Sequence, residues 1–240
     1  MSGSGLDATL RRIAEMDENS LELPPLSGDL ENELARLEPV TPRRPLRRFA
    51  VFAAASLAYG VAVLSLTRLR PDLDALPPLW LALYCGGWLA GFVALGWLAL
   101  VPGRRRIMPS WRHAGIGALI ASLGYVGFGL LFARDVPGVS HLCNTDLFET
   151  FAHGTGCLGL GSVTAVVPIL LGTILARGTV PVGSRWAGAA IGAAGGALAG
   201  FTLHLHCHHA DATHLGLVHG GVVVLATVLG ALIIPRMVSR

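Results

Sequence analysis

The sequence predicts an all-α membrane protein, a six-transmembrane-helix bundle preceded by a short, partly disordered helical cytoplasmic tail. Hydrophobic residues make up 52% of the chain and charged residues only 14%, against about 25% charged in an average soluble domain. The charges are also segregated, because nine of the fifteen carboxylates lie before residue 49. Too few charges remain after that point to cover a soluble domain. We therefore divide the chain into a tail, residues 1–48, and a transmembrane domain, residues 49–240.

The tail carries two short apolar stripes at helical spacing, and Pro24 and Pro25 between them prevent one continuous helix. Two such stripes cannot bury well against each other. We therefore expect the tail to stay flexible until its apolar faces dock into a partner's groove. A disordered tail without a partner is the alternative. The stripe positions are Leu6, Leu10, Ile13, Leu30, Leu34 and Leu37.

Six apolar stretches follow the tail, each close to the roughly 20 residues that a helix needs to cross the hydrocarbon core. Pro and Gly cluster between the stretches, where they separate one helix from the next. No basic segment at the N-terminus leads directly into an apolar core, so the first stretch is expected to remain as an uncleaved anchor. The predicted spans are Phe49–Thr67, Leu79–Val101, His113–Ala133, Thr155–Ala176, Arg185–Leu205 and Leu215–Ile234.

The arginines predict the orientation of these spans, since inner loops of membrane proteins are enriched in basic residues. With the tail in the cytoplasm, twelve arginines fall on the inner side and only Arg68, Arg70 and Arg134 on the outer side. The chain has no lysine and is rich in Arg, Ala, Gly and Leu, a composition typical of a GC-rich bacterial genome. We therefore expect a multi-pass protein of the bacterial inner membrane with both termini cytoplasmic.

Glycines in the fifth span predict how the helices pack. Gly188, Gly192, Gly196 and Gly200 recur every four residues and give one smooth face for close helix contact. The expected result is a compact bundle.

Histidine and cysteine gather in two turns that this orientation puts on the outer side. Imidazole, thiolate and carboxylate groups are ligands of zinc and copper, so a transition-metal site is one interpretation. A disulfide between Cys157 and Cys207 is a second, and histidines resting at the headgroup interface a third. His214 belongs to the same turn, whereas His219 is as readily structural as functional. The candidate metal ligands are His153, Cys157, His206, Cys207, His208, His209 and Asp211.

The spans carry no Asp, Glu, Arg or Lys near their middle. Ion-coupled transporters and membrane-embedded hydrolases need polar groups at that depth, so neither transport nor catalysis is favoured. We expect no enzyme activity. A small transition-metal permease with the histidine turns as its entry site is the alternative function, and a scaffold for another cytoplasmic protein is a third.

The last third of the chain resembles the NrsF-type integral-membrane anti-sigma factors, which include the CarR-like proteins. The resemblance covers residues 150–240 and, more generally, the six-span layout. It is carried by Cys157-Leu158, by Pro168, by an Ala-Arg-Gly loop ending in proline (Ala176 to Pro181), by the Gly/Ala-rich fifth span, by Leu205-His206-Cys207, by Asp211, and by the closing Gly-Ala-Leu-x-x-Pro-Arg (Gly230 to Arg236).

The resemblance implies a membrane-bound anti-sigma factor. Such a protein holds an extracytoplasmic-function sigma factor through its cytoplasmic tail. It releases the sigma factor when it receives a signal on the outer side of the membrane, and a redox change or a metal ion is the signal expected here. The implied signal-sensing residues are Cys157 and Cys207. The implied partners are the sigma factor and the lipid bilayer, with no direct nucleic-acid contact. No cofactor is expected, and a transition metal on the outer face is the alternative that the histidines and cysteines leave open.

An acidic amphipathic tail suits the basic and apolar surfaces with which a sigma factor binds polymerase. We expect the tail's apolar stripes to anchor the partner. The expected steering charges are Glu31, Glu33 and Glu38. After the second cysteine the chain departs from the usual family pattern with His208, His209 and His214, which fits a metal cue.

Overall fold

The computed structural model describes residues 44–102, 110–132, 147–177, 184–209 and 212–238. Six of its helices are long and apolar enough to cross a membrane, and no strand occurs among the described residues, so the predicted fold class is confirmed. The helices are α1 Pro45–Thr67, α2 Pro78–Leu100, α3 Trp111–Phe132, α4 Leu147–Ala176, α5 Ser184–His206 and α6 Gly220–Val238.

Two helices begin four or more residues earlier than their apolar windows predicted. The first, α1, starts at Pro45, because proline at the first helical position lacks an N–H that would have no partner there anyway. The other, α4, starts at Leu147 and runs for 30 residues, although its apolar window begins only near Thr155. Hydropathy marks where a helix enters the apolar layer, whereas the backbone hydrogen bonds continue beyond it.

The fifth helix, α5, lies at the centre of the bundle and packs against all five other helices. Within its span 89% of the residues are buried, against 22–44% in the other spans. Three glycines of the predicted face, Gly188, Gly192 and Gly196, meet the backbone of α6, whereas Gly200 lies against the Trp88 ring of α2. A Cβ atom added to Gly196 would come within 2.6 Å of the Cα of Val223, and one added to Gly192 would collide with the carbonyl of Ala226. Larger side chains would force the two helices apart.

Helices α1 and α4 pack side by side in opposite directions. The Arg48 guanidinium in the first turn of α1 donates a hydrogen bond of 3.1 Å to the carbonyl of Leu175 in the last turn of α4. Halfway along, the Tyr59 hydroxyl donates to the carbonyl of Val163 at 3.3 Å. The helix that follows the tail is therefore joined to the end of α4.

The outward faces of the outer helices are apolar. Val61, Leu83, Leu123 and Leu131 are each more than 60% exposed. Such a surface is suited to lipid rather than water. The bundle thus has the exterior of a multi-pass membrane protein.

The tail residues 1–43 lie outside the described residues. The predicted stripes and steering charges therefore stay predictions, and so does the boundary between tail and membrane domain at residue 48.

Candidate functional site

Two cysteines and two histidines meet at the end of the bundle where α1 ends and α6 begins. The Sγ atoms of Cys157 and Cys207 lie 3.3 Å apart, and the Cys207 Sγ lies 3.4 Å from Nε2 of His214. One ligand atom from each of Cys157, Cys207, His214 and His219 falls within 4.8 Å of the other three. We call these four residues the Cys/His cluster.

Three elements bring the Cys/His cluster together. Cys157 lies in α4, and Cys207 directly follows α5, where its N–H still donates to the carbonyl of Leu203 at 2.7 Å. The two histidines begin and end a π-helical turn, His214–His219, that leads into α6. Because the backbone bonds of a π-helix run from residue i to i+5, residues five apart lie nearly one above the other. The imidazole rings of His214 and His219 accordingly sit 5.1 Å apart, edge to face.

Three of the four members of the Cys/His cluster are buried. Cys207 is 4% exposed, His214 2% and His219 0%, whereas Cys157 is partly buried. Both ring nitrogens of His219 are buried without a hydrogen-bond partner, although its ring faces the sulfur atoms. A buried polar group in that condition costs on the order of 1–3 kcal/mol. The His219 ring interacts with the Cys157 sulfur but makes no hydrogen bond of ordinary geometry.

A buried arginine holds the end of α5 beside the cluster. The Arg70 guanidinium donates two hydrogen bonds of 2.7 Å to the Asp72 carboxylate. It also donates to the carbonyls of His204 at 3.4 Å and His208 at 3.3 Å, which lie on either side of Cys207. The hydrogen bond from Arg70 holds the pKa of the Asp72 carboxyl below its usual range. Arg70 thus supplies hydrogen-bond donors to carbonyls at the C-terminal end of α5 and holds the backbone on either side of Cys207.

A third histidine, His204, lies close by but has a different environment. Its ring stacks on Tyr84 at 5.0 Å and lies 4.8 Å from the ring of Trp80, and it is fully buried. Aromatic side chains of α2 thus occupy the space around His204. It packs the bundle beside the cluster and is not one of its four members.

The three described candidates that remain, His206, His208 and His209, are not among the four members of the Cys/His cluster. The Nδ1 atom of His206 lies 2.9 Å from the carbonyl of Arg68, and His208 is exposed and stacks on His209 at 4.3 Å. The ring of His209 in turn lies 5.2 Å from that of His214. The side chain of His153 and the whole of Asp211 lie outside the described residues. Of the seven candidates, the structure brings Cys157 and Cys207 together.

Sequence reasoning did not single out His219 as a partner of the cysteines. On an ordinary α-helix it would point away from His214, since five residues turn through about 500°. Only the π-helical turn aligns the two. The available signal was the presence of two histidines and two glycines within seven residues, His214 to Gly220, where the span begins.

The Cys/His cluster can perform two kinds of chemistry. Two neighbouring thiols can be oxidised to a disulfide, and two thiolates with two imidazoles form a four-ligand set for a tetrahedral metal ion. Apart from the cluster itself, the buried ionisable side chains among the described residues are Arg70, His204 and Tyr84, and Tyr84 stacks on His204 at the same end. The described part of the bundle therefore offers no chain of such groups across the membrane, and it lends the permease alternative no support.

Comparison with known protein families identifies the chain. The family model NrsF, described as negative regulator of sigma F, matches residues 34–239. The chain belongs to the NrsF family. The match covers the whole bundle and reaches into the tail, so the family expected from the last third of the sequence is confirmed. No curated protein and no solved structure matches the chain.

Membership of the NrsF family makes the chain a negative regulator of a sigma factor. The family is one of regulators and not of enzymes. Together with the six apolar helices, this describes a multi-pass membrane protein that acts on transcription through a sigma factor.

Proposed function

We propose that this NrsF-family chain is an anti-sigma factor that sequesters an extracytoplasmic-function sigma factor on its N-terminal tail. The proposal adds a mechanism and a class of sigma factor to the family's negative regulation. It is supported by the tail's two apolar stripes and its nine carboxylates, which complement the apolar and basic surfaces that bind polymerase. Release follows a signal received on the outer side of the inner membrane.

The observation that carries the proposal is the arrangement of α1 and α4. The tail leads into α1, and the first turn of α1 is hydrogen-bonded through Arg48 to Leu175. The same helix, α4, contributes Cys157 to the Cys/His cluster eighteen residues earlier, about 27 Å away along the helix axis. One continuous helix thus connects a chemically reactive site with the base of the tail.

The proposed orientation has the tail and both termini in the cytoplasm. It is supported by the excess of arginine in the loops on the tail side. A sigma factor acts in the cytoplasm, so a tail that binds it must lie there. The Cys/His cluster is then at the outer face.

The test is co-purification of the full-length tagged protein, in mild detergent, with the sigma factors of the source bacterium. We expect one extracytoplasmic-function sigma factor to be retained. Replacing both Leu30 and Leu34 by Asp should reduce the retained amount at least tenfold, because each anchor residue of such an interface contributes about 1–2 kcal/mol or more. The corresponding promoter should become constitutively active in cells.

The matched control is Asn32→Asp with Ala35→Asp, which adds the same two charges on the opposite side of the predicted helix. This control should still retain the sigma factor. Equal retention by the Leu30→Asp/Leu34→Asp protein, at normal membrane levels, would contradict binding through the tail stripes.

A further inference from the structure

The Cys/His cluster has the composition of a closed metal site. Its four members supply two sulfur and two nitrogen donors from α4, from the end of α5 and from the π-helical turn. Structural zinc sites are built from such sets, with four protein ligands and no open position. Oxygen donors, which hard cations such as Mg²⁺ and Ca²⁺ require, are not among the four.

The distances fit a tetrahedral ion with little adjustment. Zinc–sulfur bonds of about 2.3 Å and zinc–nitrogen bonds of about 2.0–2.1 Å put ligand atoms roughly 3.3–3.8 Å apart. The two Sγ atoms are 3.3 Å apart, and the Cys207 Sγ is 3.4 Å from Nε2 of His214. No pair of ligand atoms in the cluster is more than 4.8 Å apart. Side-chain rotations that move these atoms by about 1 Å therefore complete the coordination.

The burial of His219 provides an independent reason to expect a ligand. Its ring is fully buried, and neither nitrogen has a hydrogen-bond partner. A metal ion bound to one of these nitrogens would supply the missing partner. His204 is also buried without a hydrogen-bond partner, but its ring packs on Trp80 and Tyr84, whereas a ring nitrogen of His219 lies within 4.8 Å of both sulfur atoms.

We propose that Cys157, Cys207, His214 and His219 bind one zinc-class divalent ion. Binding replaces the two thiol protons, which leave to water, and the two thiolates neutralise the charge of the ion. The ion ties α4 to the end of α5 and to the start of α6. Relative to the candidate ligands expected from the sequence, this proposal keeps Cys157 and Cys207, adds His214 and His219, and omits the described His206, His208 and His209. His153 and Asp211 lie outside the described residues and stay predictions.

The test measures metal bound to the full-length protein in detergent, purified without chelator under reducing conditions. We expect about one zinc ion per chain by elemental analysis, in keeping with a single four-ligand site. Cys157→Ser and His219→Gln should each lower the bound zinc at least tenfold, since each removes one of four ligands.

The matched controls are Cys85→Ser in α2 and His113→Gln in α3, which change the same residue types away from the Cys/His cluster. Both should keep the full zinc content. Zinc retained by the Cys157→Ser and His219→Gln proteins would overturn the proposal.

A second measurement covers the case in which the cluster variants do not fold. Wild-type protein is stripped with a chelator, kept reduced, and titrated with Co²⁺ and then with Zn²⁺. The intense visible absorption of tetrahedral, thiolate-bound Co²⁺ should rise to one equivalent and disappear on adding Zn²⁺. Absence of that absorption in protein whose thiols are shown to be reduced would overturn the proposal. Neither readout involves a sigma factor, so the result is independent of the proposed regulatory mechanism.

Discussion

The Arg70 side chain is buried, and a buried arginine destabilises a fold unless its charge is paired and its N–H groups are hydrogen-bonded. Its side chain is fully buried, and it satisfies the Asp72 carboxylate and two carbonyls near the end of α5. The arginine pattern predicts that it lies in an outer loop. Its burial could not be predicted, because the carbonyls that surround it come from residues more than 130 positions away.

Replacing Arg70 by Met should destabilise the bundle by about 2 kcal/mol. Met preserves the length and the packing but leaves two carbonyls and the Asp72 carboxylate without their donor. The estimate stays at the low end for a buried pair because the Asp72 side chain is 39% exposed and water screens part of the loss. Thermal unfolding in detergent measures the effect, and an unchanged melting temperature would contradict it.

Asp72→Asn is the companion variant, and its effect should depend on pH. Because the pKa of Asp72 is lowered in the folded state, its charge stabilises the fold fully above the unfolded pKa of about 3.9. That contribution is lost as the pH falls through the folded pKa. The stability difference between wild type and Asp72→Asn should therefore be complete at neutral pH and shrink below about pH 4.

At the scale of the helices, the contact between α5 and α6 is the tightest part of the fold. The four-residue glycine repeat indicated a close contact without naming the helix on the other side. The structure adds that α6 is the partner and that the Gly230 backbone opposes Gly188. The repeat could be recognised in the sequence because close helix packing requires small residues at regular spacing. Which helix packs against it depends on contacts throughout the bundle.

Gly192→Ala should destabilise the bundle by about 1–3 kcal/mol, the usual effect of overpacking a tight contact. The added Cβ would meet the backbone carbonyl of Ala226, which cannot rotate away as a side chain could. The measurement is the thermal unfolding midpoint of the purified protein.

Gly221→Ala is the matched control, because no atom lies within 4 Å of the Cβ it would add. This change should leave stability unaltered or raise it by up to about 1 kcal/mol, since alanine favours a helix over glycine. The same loss in both variants would contradict this explanation, because Gly221→Ala adds no contact with α6 and raises helix propensity.

For the molecule as a whole, sequence patterns predicted the number of spans, their order and the two cysteines that meet. They could not predict the complete Cys/His cluster, because its last member depends on a π-helical turn. They also could not predict that α4 continues to Leu147, or that its other end binds α1. Hydropathy reports the environment of a segment, whereas these features arise from contacts between segments.

The proposed signalling predicts that Cys157→Ser with Cys207→Ser abolishes the response of the sigma-dependent promoter. Serine removes both the redox chemistry and the thiolate ligands while nearly preserving side-chain size. Promoter activity is measured in cells treated with a thiol oxidant and, separately, with a zinc chelator.

Cys85→Ser is the control here too, since Cys85 lies in α2 away from the Cys/His cluster. It should respond as the wild type does. A wild-type response from the double serine protein to both treatments would refute a sensing role for the two cysteines.

The buried position of α5 bears on how the chain is made. Of the six spans α5 is the least hydropathic, and its glycines and alanines would give lipid tails little to pack against. Inserted alone, α5 would leave much of its glycine face against lipid until α6 packs on it. We therefore expect α5 and α6 to enter the bilayer together, as a helical hairpin.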